Sequence, residues 1–236
     1  MKMTIHKAAD RGGADHGWLK AKHYFSFGSY HDPANVHFGL LRVLNDDYIE
    51  GGGAFPTHPH DNMEIVTIPF TGALQHKDST GGEGIIQSGD VQIMSAGTGV
   101  RHSEANASAT EPVTLFQIWV FPKERNITPR YDQRTFDINE RANKWQVVVS
   151  PNEKDKALWI NQDAVFALTK LDAGKSINYK TAFAGNGIYL VVISGSVEVN
   201  NETLQQRDAA AISESDVVTI KATEDAELLV VEVPMG

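Results

Sequence analysis

The chain has 236 residues, of which 41% are hydrophobic and 22% are charged, and its formal net charge is −9 at pH 7. These proportions are ordinary for a soluble globular protein. Because both halves of the chain are acidic, broad binding to a phosphate backbone is excluded, and we expect no direct contact with nucleic acid. The absence of cysteine excludes disulfides, thiolate metal sites and cysteine nucleophiles.

The N-terminal stretch has no apolar segment of the kind that a secretory signal needs. The longest apolar runs, such as residues 116–121, have the length of a strand and are too short to cross a membrane. We therefore expect a cytoplasmic protein that does not associate with membranes.

The predicted elements are short strands rich in valine, isoleucine and aromatic residues, bounded by clusters of glycine, asparagine, aspartate or serine. No amphipathic helix longer than a couple of turns is evident. In chain order we predict strands at residues 64–69, 91–94, 114–121, 145–149, 188–193, 217–220 and 227–233. The pattern indicates an all-β fold of the sandwich or barrel type.

A weak internal repeat begins at Gly72 and again at Gly195. Each copy has an alternating strand, a polar turn, an apolar strand and an acidic turn, which we place at Gly89-Asp90 and Ser215-Asp216. The repeat predicts two tandem β-sandwiches, although any two hairpin-rich sheets resemble each other. We assign residues 1–140 to an N-terminal metal-binding domain with a linker, and residues 141–236 to a C-terminal domain without metal ligands. The polar stretch 123–144 is the best candidate for that linker.

All nine histidines lie in the first 102 residues, so only the first domain can bind a transition metal through imidazole. His58 and His60 alternate along a strand and project to one face, and His102 and Glu104 have the same spacing. If the two strands face each other across one cavity, these side chains form a site with three nitrogens and one carboxylate. Glu64 shares the parity of His58 and His60, so spacing alone leaves either Glu64 or Glu104 as the oxygen ligand.

Such a donor set suits one divalent transition metal, Fe(II), Mn(II), Ni(II) or Zn(II), with copper as a further alternative. A lone HxH pair is common without a metal, and the second pair strengthens the prediction. His76 is equally compatible with an exposed hairpin and with the pocket. Phe55, Met63 and Phe70 are either pocket walls or ordinary core residues. The remaining histidines are expected to be structural or solvated: His6, His16, His23, His31 and His37.

Two segments make the sequence resemble the pirin family of bacterial bicupins. HPHDNME at residues 58–64 and GDVQIMSAGTGVRHSE at residues 89–104 match the pirin motifs, and residues 11–33 are also similar to bacterial members. The resemblance covers the N-terminal domain with specific motifs and the C-terminal domain by its general pattern. Ser95 stands where cupins usually have proline. Asp61-Asn62 replaces the arginine-glycine of many pirins, which predicts a different pocket rim.

The resemblance implies an all-β bicupin, with two tandem cupin-type β-sandwich or jelly-roll barrels. It implies that His58, His60, His102 and Glu104 bind a non-haem iron and that Glu64 is not a ligand. It also implies quercetin 2,3-dioxygenase activity for some members, in which both atoms of O2 enter a flavonol-like substrate and carbon monoxide is released. For other members it implies a role as a transcription cofactor or metabolic regulator.

These observations leave three hypotheses. The first is a metal-dependent dioxygenase acting on a flavonol-like substrate with O2, in which Glu104 also serves as the catalytic base. The second is a non-enzymatic iron-binding regulator that acts through a protein partner, which an acidic surface favours over DNA. The third is a cupin that retains a structural metal and performs unrelated work.

Overall fold

A computed structural model describes residues 1–236, which form 21 strands and three 3-10 helices of three or four residues. The helices cover residues 8–10, 138–141 and 153–155. The strands are β1 (Lys2–His6), β2 (Gly12–Asp15), β3 (Leu19–His23), β4 (Leu41–Ile49), β5 (Ala54–His60), β6 (Glu64–Thr71), β7 (Ala73–Asp78), β8 (Glu83–Gln87), β9 (Asp90–Ser95), β10 (Val100–Asn106), β11 (Val113–Val120), β12 (Arg130–Thr135), β13 (Gln146–Val149), β14 (Val165–Leu171), β15 (Ser176–Lys180), β16 (Asn186–Ser194), β17 (Val197–Val199), β18 (Glu202–Leu204), β19 (Ala209–Ser213), β20 (Val217–Ala222) and β21 (Ala226–Pro234).

The strands form two double-layered units with one shared plan. The first has a seven-stranded sheet, β12-β9-β6-β11-β4-β3-β2, and a four-stranded sheet, β5-β10-β7-β8. The second has a six-stranded sheet, β1-β19-β16-β21-β14-β13, and a four-stranded sheet, β15-β20-β17-β18. Because the strand order is the same once β4 to β11 are matched with β14 to β21, the internal repeat is a structural duplication.

The structure matches the Gly89-Asp90 turn with a different turn of the second copy from the one that the sequence predicted. Asp90 at the start of β9 accepts a hydrogen bond from the backbone N–H of Gln87, and Asp208 just before β19 accepts one from Gln205. Arg207 and the residue before Asp90 both have positive φ angles, 66° and 95°. The partner of the Gly89-Asp90 turn is therefore Arg207-Asp208, and its assignment to Ser215-Asp216 is wrong. An aspartate is the second residue of both Arg207-Asp208 and Ser215-Asp216, so composition does not separate the two turns.

The two larger sheets pack back to back, which gives the molecule four layers. Their contact is the largest core, 27 buried residues drawn from both units, including Phe116, Phe166 and Val231. Strands that are covered on both faces need apolar residues at every position, which explains the continuous apolar runs of β11, β16 and β21. The interior of the second unit is filled by a separate core of 17 buried residues, among them Leu190 and Ile220.

The edge strands of each large sheet lie outside the matched strands β4 to β11 and β14 to β21. β1 pairs antiparallel with β19 over Lys2–His6, and so it belongs to the sheet of the second unit. β12 lies within the stretch predicted to be a linker, and it pairs with β9 of the first unit. Both connections are built from ordered strand. None of the short helices approaches the length and apolarity that crossing a bilayer requires.

Candidate metal centre

β5 and β10 carry the predicted ligands, and they are hydrogen-bonded neighbours in the smaller sheet of the first unit. His102 lies directly opposite His58 in the antiparallel register, and Val100 lies opposite His60. The expectation that the two strands face each other across a cavity is therefore wrong. Side chains on one face of adjacent strands are about 4.5–5.5 Å apart at Cβ, so neighbouring strands bring the imidazoles together more closely than facing sheets would.

The three histidines converge on one point. The ring centroids of His58 and His102 are 4.3 Å apart. The ring centroid of His60 lies 4.9 Å from that of His58 and 4.8 Å from that of His102. One nitrogen of each ring lies within 4.8 Å of a nitrogen of the others. The Nε2 atom of His102 is buried and has no hydrogen-bond partner. An unpartnered buried nitrogen is costly, and a bound metal ion would remove that cost.

Hydrogen bonds at the rear nitrogens orient two of these rings. Nδ1 of His58 lies 2.9 Å from the carbonyl oxygen of Pro56, so Nδ1 carries the proton and Nε2 keeps its lone pair. Nδ1 of His102 lies 3.4 Å from Nδ1 of His76, whose Nε2 is 3.0 Å from a carboxylate oxygen of Asp78. The Asp78 carboxylate accepts a hydrogen bond from the N–H at His76 Nε2, which leaves His76 Nδ1 free to accept one from His102. This chain of bonds presents the His102 Nε2 lone pair to the cluster.

His76 is completely buried and stacks on Tyr131 at a centroid distance of 4.7 Å, so the alternative that placed it on an exposed hairpin is wrong. The sequence did not predict this burial, because His76 is followed by Lys77 and Asp78 in a hairpin, β7–β8, that is rich in polar residues. His76 lies opposite Glu104 in the register of β7 with β10, which is why it lies behind the cluster.

Glu104 lies on the same strand as His102, past an irregularity that shifts the register between them. Its carboxyl group is buried, and Oε1 accepts a hydrogen bond of 3.2 Å from Nε2 of Gln117 on the facing sheet. Gln117 is held in turn by Thr67. Burial raises the pKa of Glu104 to about 7, against the lowering effect of Gln117. A carboxylate oxygen of Glu104 lies within 4.8 Å of nitrogens of His76 and His102.

Glu64 faces a different neighbourhood. Its Oε2 atom accepts hydrogen bonds from the hydroxyl of Ser95 at 2.8 Å and from the backbone N–H of Asn161 at 3.1 Å. It therefore joins the two units and does not line the histidine cavity, which removes it as the alternative oxygen ligand. Ser95, in the position where cupins usually have proline, supplies one of these bonds. Burial raises the pKa of Glu64 to about 7.

A cavity of about 570 Å³ opens between the two sheets of the first unit, directly over the histidines. Its size lies within the range of small-molecule sites. The facing wall is formed by the larger sheet. The cavity is lined by Ala14, His16, Leu19, Ala21, His23, Phe27, Gly28, Ser29, Asn45, Asp47, Phe55, Pro56, His58, His60, Ile65, His102, Glu104, Gln117 and Trp119.

Three polar groups on the facing wall were missed by the sequence predictions. Asp47 is buried, its Oδ1 atom has no partner, and burial together with the charge of Glu104 raises its pKa to about 8. Asn45 is bonded to the ring of His23 at 2.8 Å, and Nε1 of Trp119 is buried without a partner. Asn45 and Asp47 are two residues apart in strand β4, and this period of two is the sequence signal from which they could have been predicted.

The other expectations divide. Phe55 lines the cavity, whereas Met63 packs in a small separate core and Phe70 lies against the core between the units. Among the histidines expected to be structural or solvated, His16 and His23 line the cavity. Nδ1 of His6 lies within hydrogen-bond distance, 2.8 Å, of the hydroxyl of Tyr189.

The ring pKa values favour metal binding at neutral pH. The pKa of His102 is lowered to about 3 and that of His60 to about 4. Burial is the largest cause of both shifts, and the neighbouring imidazoles contribute the next largest part. Metal binding requires neutral imidazole, so neither ring has to release a proton at pH 7. The structure gives two groups of possible donors that share His102: one adds His58 and His60, and the other adds His76 and Glu104. Imidazole and carboxylate donors of this kind suit a divalent transition metal.

Comparison with known proteins agrees with this geometry. A family model described as Pirin matches residues 4–120, and one described as the quercetinase C-terminal cupin domain matches residues 147–233. The chain is 42% identical to quercetin 2,3-dioxygenase of Escherichia coli K12, over 98% of each chain. It is 46% identical to a pirin-like protein of Caulobacter vibrioides, over 94% of this chain and 95% of that one.

The chain belongs to the pirin family. Its structure superposes on the bacterial pirin YhhW of Escherichia coli in complex with nickel(II), with a TM-score of 0.93, 40% sequence identity and complete coverage of both chains. The two double-layered units are cupin domains, which confirms the predicted bicupin fold.

One departure from the pirin motif has a local explanation. Asn62, where many pirins have glycine, has a φ of 45°, and its side chain bonds both the amide and the backbone N–H of Asn126. Asparagine tolerates this left-handed conformation better than most residues. Neither Asp61 nor Asn62 lines the cavity, so the prediction that they alter its rim is wrong.

Proposed function

We propose that this chain is a metal-dependent dioxygenase that cleaves a flavonol-like substrate with O2, with His58, His60, His102 and Glu104 holding the metal. One observation carries the proposal: three converging imidazoles, one with a buried unpartnered nitrogen, form the floor of a cavity large enough for a bicyclic aromatic molecule. The relatives named quercetin 2,3-dioxygenase support the same reaction class.

A divalent metal held by these residues would supply a Lewis-acid and redox centre for the adjacent hydroxyl and keto oxygens of the substrate. We propose Fe(II) as the native metal, and Mn, Ni, Zn and Cu are the alternatives to be measured. The nickel(II) complex of the Escherichia coli pirin supports a divalent ion of this class.

The protein residues would bind and orient the substrate around that centre. Phe27, Phe55 and Trp119 provide apolar surface for aromatic rings, and they exclude water from the reacting carbon atoms. Glu104 lines the cavity beside the proposed centre, where its carboxylate can accept the proton of the substrate hydroxyl. Asp47, with a pKa of about 8, holds its proton at neutral pH and can donate a hydrogen bond to a substrate oxygen.

The test uses the iron-loaded protein and quercetin, mixed first without and then with oxygen. We expect loss of the flavonol absorption, uptake of one O2 and release of one carbon monoxide for each substrate. His58→Ala and Glu104→Ala should abolish turnover. His31→Ala, which removes an exposed histidine outside the cavity, is the matched control and should retain it.

A different result would change the assignment. If the iron-loaded protein leaves quercetin and related aromatic enols unchanged while a protein is retained by it only when metal is bound, the regulator acting through a protein partner replaces the enzyme. The acidic charge of −9 is the observation that favours that second candidate.

A further inference from the structure

A second cavity, of about 320 Å³, lies between the two cupin domains and shares no residue with the metal cavity. One wall comes from the ends of β6, β9 and β11, and the other from the 3-10 helix at residues 138–141 together with β14, β16 and the turn before β19. The metal site proposed above does not use it.

Arg141 is the charged group of this cavity that forms no ion pair, and the Glu227 carboxylate in the same wall acts on it without a direct contact. Arg141 is 8% exposed, and its Nε atom donates to Gln146 at 3.0 Å. No other hydrogen bond or ion pair in the structure involves its guanidinium group. An arginine side chain has five N–H donors, so four of those of Arg141 have no protein acceptor. Burying a cation in this way is expensive unless an anion neutralises it.

Arg207 supplies a second guanidinium to the opposite end of the same wall. It stacks over Phe70 and Phe116, each at 5.0 Å, donates to the carbonyl of Ile193 and pairs with Asp46 at 3.1 Å. These contacts fix its plane, so little side-chain entropy is lost when it binds a further acceptor.

The charges favour a monoanion. Asp46 is shared between Arg11 and Arg207, and Glu227 in the cavity wall is paired with Lys170 at 2.8 Å. Asp90, also in the wall, is held by three donors. The four cations and three anions of the cavity and of its ion pairs therefore leave one positive charge, which one carboxylate neutralises and a phosphate dianion exceeds.

The rest of the lining favours an organic body on that anion. Ile68, Phe70, Ile138, Leu168 and Ile193 provide apolar surface beside the guanidinium groups. The side-chain hydroxyls of Ser88 and Ser194 also line the cavity and form no hydrogen bond with the protein. We propose that this interdomain cavity is a binding site for a small organic carboxylate, with its head group on Arg141 and its apolar part against Phe70.

Isothermal titration calorimetry of the metal-loaded protein tests the proposal, with benzoate, acetate and inorganic phosphate as probes. Benzoate is expected to bind with a stoichiometry of one, more tightly than acetate and phosphate. Arg141→Gln should weaken benzoate about tenfold or more, since hydrogen bonds to a charged group are lost. Binding that is equally tight to phosphate would reject the carboxylate assignment.

Two further variants separate this site from the metal site and from misfolding. His58→Ala removes a proposed metal ligand, and benzoate binding should survive it. If His58→Ala abolishes binding and Arg141→Gln does not, the carboxylate binds the metal and the proposal is wrong. Ser194→Asp places a negative charge on the half-buried wall of the cavity and should also abolish binding, even if Arg141→Gln does not fold. Wild-type affinity in Ser194→Asp would overturn the proposal.

Discussion

At the scale of single residues, the proposed metal centre depends on the groups behind its proposed ligands as much as on those ligands. Asp78 fixes the tautomer of His76, and His76 fixes the tautomer of His102. Residues that orient a metal-binding imidazole in this way commonly contribute ten- to a hundredfold to metal affinity. His76 is also enclosed by Tyr131, so the ring has no room to rotate.

His76→Phe tests this contribution. Phenylalanine keeps the stack on Tyr131 but removes the acceptor for the N–H of His102, so we expect metal affinity to fall by about 10–100-fold. Tm should fall as well, because the buried Asp78 carboxylate loses the N–H of His76. Competition with a chelator of known affinity measures the effect. Tyr131→Phe keeps the stacking and loses only the hydroxyl bond to Gln133, and it should bind metal normally. Unchanged affinity in His76→Phe would assign the ring to packing alone.

Glu64 gives the fold a pH dependence that can be measured separately. Burial raises its pKa from 4.5 to about 7, so the folded protein keeps a proton that the unfolded chain releases above pH 4.5. The stabilisation from this proton is complete below about pH 4.5 and is lost as the pH rises to about 7. Deprotonation therefore lowers the free energy of unfolding.

We expect Glu64→Gln to be more stable than the natural protein at pH 8, by about 1–3 kcal/mol, and to lose that advantage near pH 5. Glutamine retains an oxygen that can accept from Ser95 and Asn161. Urea unfolding at several pH values gives the difference. A difference that stays constant between pH 5 and pH 8 contradicts the raised pKa.

At the scale of elements, β1 is the strand whose place has the largest consequence. It extends the sheet of the second cupin domain, Met3 and Ile5 pack against that domain's core, and His6 bonds the hydroxyl of the buried Tyr189. Without β1, the edge of β19 would present unpaired backbone groups to solvent, and such an edge promotes association.

Removal of residues 1–6 is expected to lower Tm by roughly 5–10 °C and to produce larger species in size-exclusion chromatography. Lys2→Ala is the matched control because it removes only the exposed ion pair with Glu214 and keeps the strand. It should leave Tm and the elution volume unchanged. A truncated chain that behaves like the natural one would show that β1 adds nothing to the second domain.

The elements also show what the sequence could and could not predict. Alternation along one strand was enough to place His58 and His60 on one face, and it did the same for His102 and Glu104. It could not show that β5 and β10 are neighbours, because pairing between strands some forty residues apart depends on the whole sheet. Asp208 and Asp216 both follow polar residues in the second copy, so local composition could not choose the correct turn. Asn45 and Asp47 carried a usable signal in their period of two, which was overlooked.

At the scale of the whole molecule, the two cupin domains share their largest core. Neighbouring residues of β21 separate the two interiors, because Val231 belongs to the shared core and Val230 belongs to the core of the second domain. Since the shared core includes Phe116 and Phe166 from opposite domains, unfolding either domain exposes a large apolar face of the other. The chain is therefore expected to unfold as one unit.

Urea unfolding followed by tryptophan fluorescence, far-UV circular dichroism and metal release should give one coincident transition. Val230→Ala and Val231→Ala should each lower the free energy of unfolding by about 1–3 kcal/mol. Val230→Ala should also shift metal release from the first domain to a lower urea concentration, although Val230 lies in the interior of the second domain. Two separate transitions, with metal release unaffected by Val230→Ala, would show that the domains unfold independently.

The pairing of β1 with β19 also has a consequence for synthesis on the ribosome. The residues of β1 have their partners about 200 residues later, at Ala209–Ser213. At translation rates of 5–20 residues per second, that delay is roughly 10–40 s. Every strand of the first cupin domain's two sheets has been synthesised before β19 is reached, whereas β1 stays unpaired until then. A strand made before the whole first domain is thus among the last to reach its native position.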